Sequence, residues 1–312
     1  MQRYMSFSDR SQLTHLRRTA YYVQRAIANH ALREAATHVL LQGLKLIYRE
    51  ERAASHTRSC LAKNLRGAGH FRLDRAFTQE QCRNICSYLL EKRLVDYHGE
   101  HESFLLSSVP AGLSIGSYPL DTVVNCPHVM ELANSPDFLN MATDYLGFKP
   151  TLTDLSLEWS FPTDRASTSI RHFHRKPELG TFEILVYITN VDSQNGPYVY
   201  VPGSHLERIP LHLRDYSDVE IARNYGAAVV ITGPAGAAFA IDTKGIHKRA
   251  PSVDQPSLVL SIQYSLLPYF LDNYEPVAYY GNKHFDKYVN RFLIFHSDVV
   301  PYPVQAPTTV DT

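Results

Sequence analysis

Apolar and polar residues alternate in the second half of the chain with the period of two that marks a strand with one buried face. Leu155, Leu157, Trp159 and Phe161 set this rhythm, and Leu258, Leu260, Ile262 and Tyr264 repeat it. Phe182 to Ile188 is apolar on both faces apart from Glu183, which predicts a strand covered on both sides. Tyr198–Val201, Ala227–Ile231 and Ala237–Ile241 supply further strands, and Asn195-Gly196-Pro197 and Pro202-Gly203 mark turns between them. Gly69 to Leu73 is read as a short entry strand.

Helical signals come earlier. Thr78 followed by Gln81 is a capping box, and the helix it starts runs through Ile85 and Leu89. Ser135 with Pro136 starts another; Phe138, Met141, Ala142 and Leu146 form its apolar face and Gly147 its stop. Leu32 to Arg52 has an amphipathic pattern, with Leu32, Ala36, Val39, Leu40 and Ile47 on one face, weakened by Gly43. Helices before many strands with Gly/Pro turns predict a mainly β fold with flanking helices, a double-stranded β-helix (jelly roll, cupin-like). The expected divisions are a basic helical extension over residues 1–66, the β domain over 67–272 and a tail over 273–312 packed on it.

Composition narrows the function classes. Of 312 residues, 31 are Lys or Arg and 31 Asp or Glu, so net charge gives no ground for expecting nucleic acid as partner. Arginines concentrate at the start, at Arg3, Arg10, Arg17, Arg18, Arg25 and Arg33. That extension is either a solvated helical segment or a contact for an anionic partner. Four scattered cysteines fit reduced thiols in a cytoplasmic protein. No signal peptide or membrane-spanning run is read.

The candidate chemistry lies between Arg171 and His247. His172 and His174 stand before the apolar strand at 182–188, and His247 follows Asp242-Thr243-Lys244-Gly245-Ile246. Two histidines and a carboxylate gathered on one side of β-structure hold Fe(II) in non-heme oxygenases and leave the other side open. On that template His174 and His247 are ligands. His205, in a turn, and Asp242, before His247, are read as structural.

The segment from Gly67 to about Pro268, about two-thirds of the chain, resembles the phytanoyl-CoA dioxygenase family of Fe(II)/2-oxoglutarate oxygenases. Gly69-His70-Phe71, Phe173-His174-Arg175, Tyr187-Ile188-Thr189-Asn190-Val191-Asp192, Val201-Pro202-Gly203-Ser204-His205 and Asp242 to His247 carry the resemblance in order. It implies oxidation of a small-molecule substrate at Fe(II), with 2-oxoglutarate as co-substrate.

Two positions depart from the family pattern. Lys176 stands where the second ligand, an aspartate, is expected, and Ser257 stands where an arginine pairs with the 2-oxoglutarate carboxylate. At ~4 Å and an effective dielectric of about 20, each unit charge pair is worth ~4 kcal/mol, so this exchange weakens Fe(II) binding severely. A shifted register would set His172, His174 and His247 as a three-histidine face, while Arg249 offers a substitute acid-binding cation on charge alone. The leading expectation is a divergent dioxygenase acting on a small metabolite, with Fe(II) retained and 2-oxoglutarate doubtful. The alternatives are a catalytically silent binding or scaffold protein, and a metal-free enzyme using Lys176 as base or imine-forming amine.

Overall fold

The computed structural model describes residues 27, 29–49, 60–73, 75–96, 101–162, 172–176, 178–207, 214–268 and 274–296. Of the N-terminal arginines, Arg3, Arg10, Arg17, Arg18 and Arg25 lie outside them.

In chain order the strands are β1 (His70–Leu73), β2 (Arg93–Asp96), β3 (Phe104–Leu105), β4 (Ile115–Ser117), β5 (Thr151–Ser160), β6 (Thr181–Tyr187), β7 (Tyr198–Tyr200), β8 (Val229–Ile231), β9 (Ala238–Ile241), β10 (His247–Arg249), β11 (Ser257–Ser265), β12 (Val277–Tyr279) and β13 (Ile294–His296). Eight form one antiparallel sheet in the order β1-β9-β6-β11-β5-β4-β2-β3, and β10-β7-β8 form a second. β12 and β13 pair in parallel, in the segment where the sequence shows no clear period.

The period-two pattern assigns the two faces of the large sheet. Leu155, Leu157, Trp159, Ile184, Val186, Leu260 and Ile262 point to one side and join the helices in the main core. That core includes Ile85 and Leu89 from the capped Gln79–Leu89 helix and Met141 and Leu146 from the Pro136–Leu146 helix. The opposite side carries Leu185, Tyr187, Phe239 and Val259, which pack against Tyr200 and Ile231 of the small sheet. The two sheets therefore face each other across a second, mixed core.

The His30–Ile47 helix uses a different face from the one its apolar pattern predicts. Leu32, Val39 and Ile47 are exposed, whereas Arg33 and Leu44 are buried and Leu40 and Leu41 half-buried. The inward stripe 33, 40, 41, 44 still has helical spacing. A buried arginine replaces one of its apolar members, so hydrophobicity alone points to the wrong edge.

One glycine contact bears on the site. A Cβ at Gly245 would lie 1.8 Å from the Tyr200 hydroxyl oxygen, and that hydroxyl donates to the Asp242 carbonyl at 3.0 Å. The turn leading to His247 is thus closed around a ring with no spare volume. Gly245→Ala is expected to destabilise the fold by about 1–3 kcal/mol through overpacking, read in urea denaturation; a neutral substitution would show the turn to be loose.

Candidate active site

The site is built where the 172–176 segment crosses the edge of the small sheet. His174 and His247 form an antiparallel bridge, each backbone N–H donating to the other's carbonyl at 3.0 Å. Their rings face each other with centroids 4.7 Å apart. His174 Nδ1 lies 3.0 Å from the His172 carbonyl, and His247 Nδ1 lies 2.8 Å from that of Gly245. A carbonyl only accepts, so each Nδ1 carries the proton and each Nε2 keeps its lone pair. This is the tautomer a metal-ligating histidine needs. Burial lowers the pKa of His174 and pushes that of His247 well below the ordinary value, so both rings are neutral at pH 7.

Lys176 follows on the same side of the extended segment, anchored by its backbone N–H on the Thr243 carbonyl at 2.8 Å. Its ammonium donates to Glu183 Oε2 at 3.1 Å and to Gln263 Oε1 at 3.2 Å. Ser261 donates to the other Glu183 oxygen. The Gln263 amide nitrogen reaches Thr153 Oγ1 at 3.3 Å, which turns its oxygen toward the lysine. Burial works against the charge of Lys176, but Glu183 and Asp154 more than offset it and hold the ammonium well above the usual lysine range.

The strand registers explain this grouping. Asp154, Gln263 and Glu183 form one rung across β5, β11 and β6; Ser156, Ser261 and Leu185 form the next, and Glu158, Val259 and Tyr187 the third. Desolvation raises the pKa of both Asp154 and Glu158. Asp154 is nevertheless exposed and Glu158 half-buried, and a third of the Lys176 side chain is accessible to solvent. These two observations together place a solvent-accessible polar space between the sheets.

Arg249 is two residues beyond His247 on β10 and shares its face. Its guanidinium is buried and donates from Nη2 to the Ser257 carbonyl at 3.0 Å and hydroxyl at 3.1 Å. Arg249 thus reaches Ser257 from β10, in the other sheet, with Nε and Nη1 directed at the carbonyls of Gly196 and Glu158.

His172 is not brought into the group. It lies in a bend, its side chain is exposed, and only its carbonyl faces His174. The alternation that would align it with His174 fails because the bridge to β10 begins at His174 itself. Among the described residues no three His, Cys, Asp or Glu side chains converge as a metal site. His205 is buried and bonded to the Arg66 carbonyl at 2.9 Å. Asp242 accepts from the backbone N–H of Lys244 at 2.9 Å and from the Tyr145 hydroxyl, ordering the turn before His247.

Glu183 and Gln263 are the residues that sequence reading passed over. A signal for the first was present, since a lone carboxylate in an otherwise apolar, doubly covered strand requires a buried cation. An ammonium paired with Glu183 has no lone pair with which to form an imine. Treatment with pyruvate and borohydride at pH 7 is expected to leave Lys176 unmodified by peptide mass spectrometry; a reduced adduct there would contradict the ion pair.

No protein-family model and no curated protein matches the sequence. Solved structures do match. EctD from S. alaskensis, crystallised with 2-oxoglutarate and 5-hydroxyectoine, aligns over 79% of this chain and 91% of its own at 14% identity, with a TM-score of 0.50. HygX from Streptomyces hygroscopicus, with nickel and 2-oxoglutarate bound, aligns over 72% and 91% at 16% identity and a TM-score of 0.49. The non-heme alpha ketoglutarate dependent epimerase SnoN from nogalamycin biosynthesis aligns over 66% and 81% at 18% identity and a TM-score of 0.48. At these identities the likeness is one of fold, and it rests on EctD. No helix among the described residues is long and apolar enough to cross a membrane.

Proposed function

We propose that this chain is a small-molecule-binding protein of oxygenase descent, in which the Lys176 ammonium has taken the place of the metal. The observation that carries this is the Lys176–Glu183–Gln263 cluster beside the two histidines. Fe(II) in the usual register does not fit these residues. The third ligand is a cation, and the nearest carboxylate is already paired with it. The two sheets correspond on this reading to a double-stranded β-helix like that of the phytanoyl-CoA dioxygenase family, spanning residues 67–272, with the 1–66 extension before it and the 273–312 tail after it. Localisation is cytoplasmic. The ligand is a small metabolite held between the sheets, and a carboxylate on it would meet Arg249.

Elemental analysis after anaerobic Fe(II) loading and desalting tests the proposal. Iron far below one per chain is expected, and one tightly held iron per chain would overturn it.

A second reading, a divergent oxygenase acting on a small metabolite, draws on one observation: both Nε2 lone pairs of His174 and His247 are free to bind metal. Under it, His174→Ala or His247→Ala alone abolishes iron retention and His172→Ala has no effect. Retention undiminished in His247→Ala would exclude this site for the metal.

A further inference from the structure

A cavity of about 450 Å³ lies outside the space between the sheets, walled by the His30–Ile47 helix, the end of the Pro136–Leu146 helix and the turn at Asp242 to Lys244. None of His174, Lys176, Glu183, His247 and Arg249 lines it. The separation follows from the backbone. His174 and Lys176 point between the sheets, so Arg175, between them on the extended segment, points the other way, into the wall of this cavity. Its volume is in the range of ligand pockets, roughly 300–1,000 Å³.

The wall divides into two kinds of surface. Leu41, Leu146 and Leu266 make an apolar side. Arg33, Arg66, Arg175 and Lys244 bring four cations, against three acids, Glu34, Glu207 and Asp242. Glu207 pairs with Arg175 and accepts from Tyr225, and Asp242 accepts from Tyr145 and from Lys244. Arg33 donates from Nη1 to the Ile27 carbonyl at 3.0 Å. Arg66 donates from Nη2 to the carbonyls of Asp144 and Tyr145 and lies over the Tyr145 ring, 5.5 Å from its centroid, and its Nε and Nη1 have no hydrogen-bond partner among the described residues. The Lys244 ammonium is 3.3 Å from Asp242, and its side chain is 40% exposed, leaving further N–H groups open. Arg175 Nε, in a side chain only 4% exposed, has no hydrogen-bond partner. Burial lowers the pKa of Arg33, so this guanidinium sits where water solvates it poorly.

We propose that this cavity is a second small-molecule site, separate from the one between the sheets, and that it takes an organic anion with an apolar body and a carboxylate or phosphate head. The head pairs with Arg66 and Lys244, whose unused donors suit oxygen anions. The body lies against the leucines.

The test uses the full chain and three naphthalene probes followed by fluorescence and calorimetry: 2-naphthoate, 2-naphthyl phosphate and the neutral 2-naphthalenemethanol. At least one anion is expected to bind 10-fold or more tightly than the alcohol, and the tighter of the two anions assigns the head group. Arg66→Glu and Lys244→Glu should each weaken the tighter anion 10-fold or more, with melting curves confirming that they fold. Lys244 is half exposed, so its variant keeps the test decisive even if Arg66→Glu is unstable. Arg223→Glu, a charge reversal on the exposed side of the Asp218–Asn224 helix and outside the lining of this cavity, should leave binding unchanged. Equal binding of the alcohol, no effect of either charge reversal in the cavity, an equal loss in Arg223→Glu, or no binding of any probe would each overturn the proposal. The readout involves no metal, so failure here leaves the metal measurements untouched.

Discussion

Lys176→Asp is expected to raise Fe(II) affinity by two or more orders of magnitude. Two neutral histidines already present Nε2 lone pairs from facing rings, so the substitution has only to change the third group. It removes an ammonium and adds a carboxylate. At ~4 Å and an effective dielectric of about 20 each of these changes is worth ~4 kcal/mol, and about 1.4 kcal/mol is tenfold in affinity. Coupling to Glu183 adds to the gain: without metal the new aspartate faces the Glu183 carboxylate, and a divalent ion relieves that repulsion. The apo variant should therefore be less stable than the wild type and recover on adding Fe(II), with its melting temperature rising with metal concentration. Anaerobic titration of the two proteins side by side reads the effect. Equal, tight binding by both would show that Lys176 never excluded the metal. The absence of any gain would show that the histidines are held in a geometry unsuited to it. Arg249 already occupies the Ser257 position, so adding an arginine there would set two guanidinium groups against each other and is not expected to help 2-oxoglutarate bind.

Lys176→Met should destabilise the fold by about 2–4 kcal/mol, less than the roughly 3–5 kcal/mol for breaking a fully buried ion pair, because the lysine still touches solvent. The effect falls on Glu183, only 5% exposed, which loses its cation and keeps one hydrogen bond from Ser261. Removing both charges in Lys176→Met/Glu183→Leu should return most of the loss, since no buried charge is left unpaired. Urea denaturation of the two variants measures the difference. A neutral single substitution would mean that the pair contributes nothing to stability.

The strands were legible because their periods are strong. Leu155 to Phe161 and Leu258 to Tyr264 define faces that packing then uses, and the caps at Thr78 and Ser135 start helices where expected. The helix at 30–47 was found but turned the wrong way, since Arg33 enters the protein where hydrophobicity predicts Leu32 and Val39. Within the site, the facing of His174 and His247 followed from motif spacing. The exclusion of His172 did not, because a bend interrupts the alternation on which a three-histidine face depends. The partners of Lys176 come from β6 and β11, whose registers with each other are not written in any local pattern. Arg249 is the same kind of case: its distance from Ser257 in sequence says nothing of their hydrogen bond, which arises because β10 and β11 bring the two ends of one loop together.

A crystal of the wild-type protein grown without oxygen in excess Fe(II), with anomalous diffraction recorded at the iron edge, decides whether Lys176 stands in for the metal. No iron peak is expected between His174 and His247, and an ammonium is expected between Glu183 and Gln263. An ordered iron bound to both histidine Nε2 atoms, with Lys176 turned away from Glu183, would contradict this expectation.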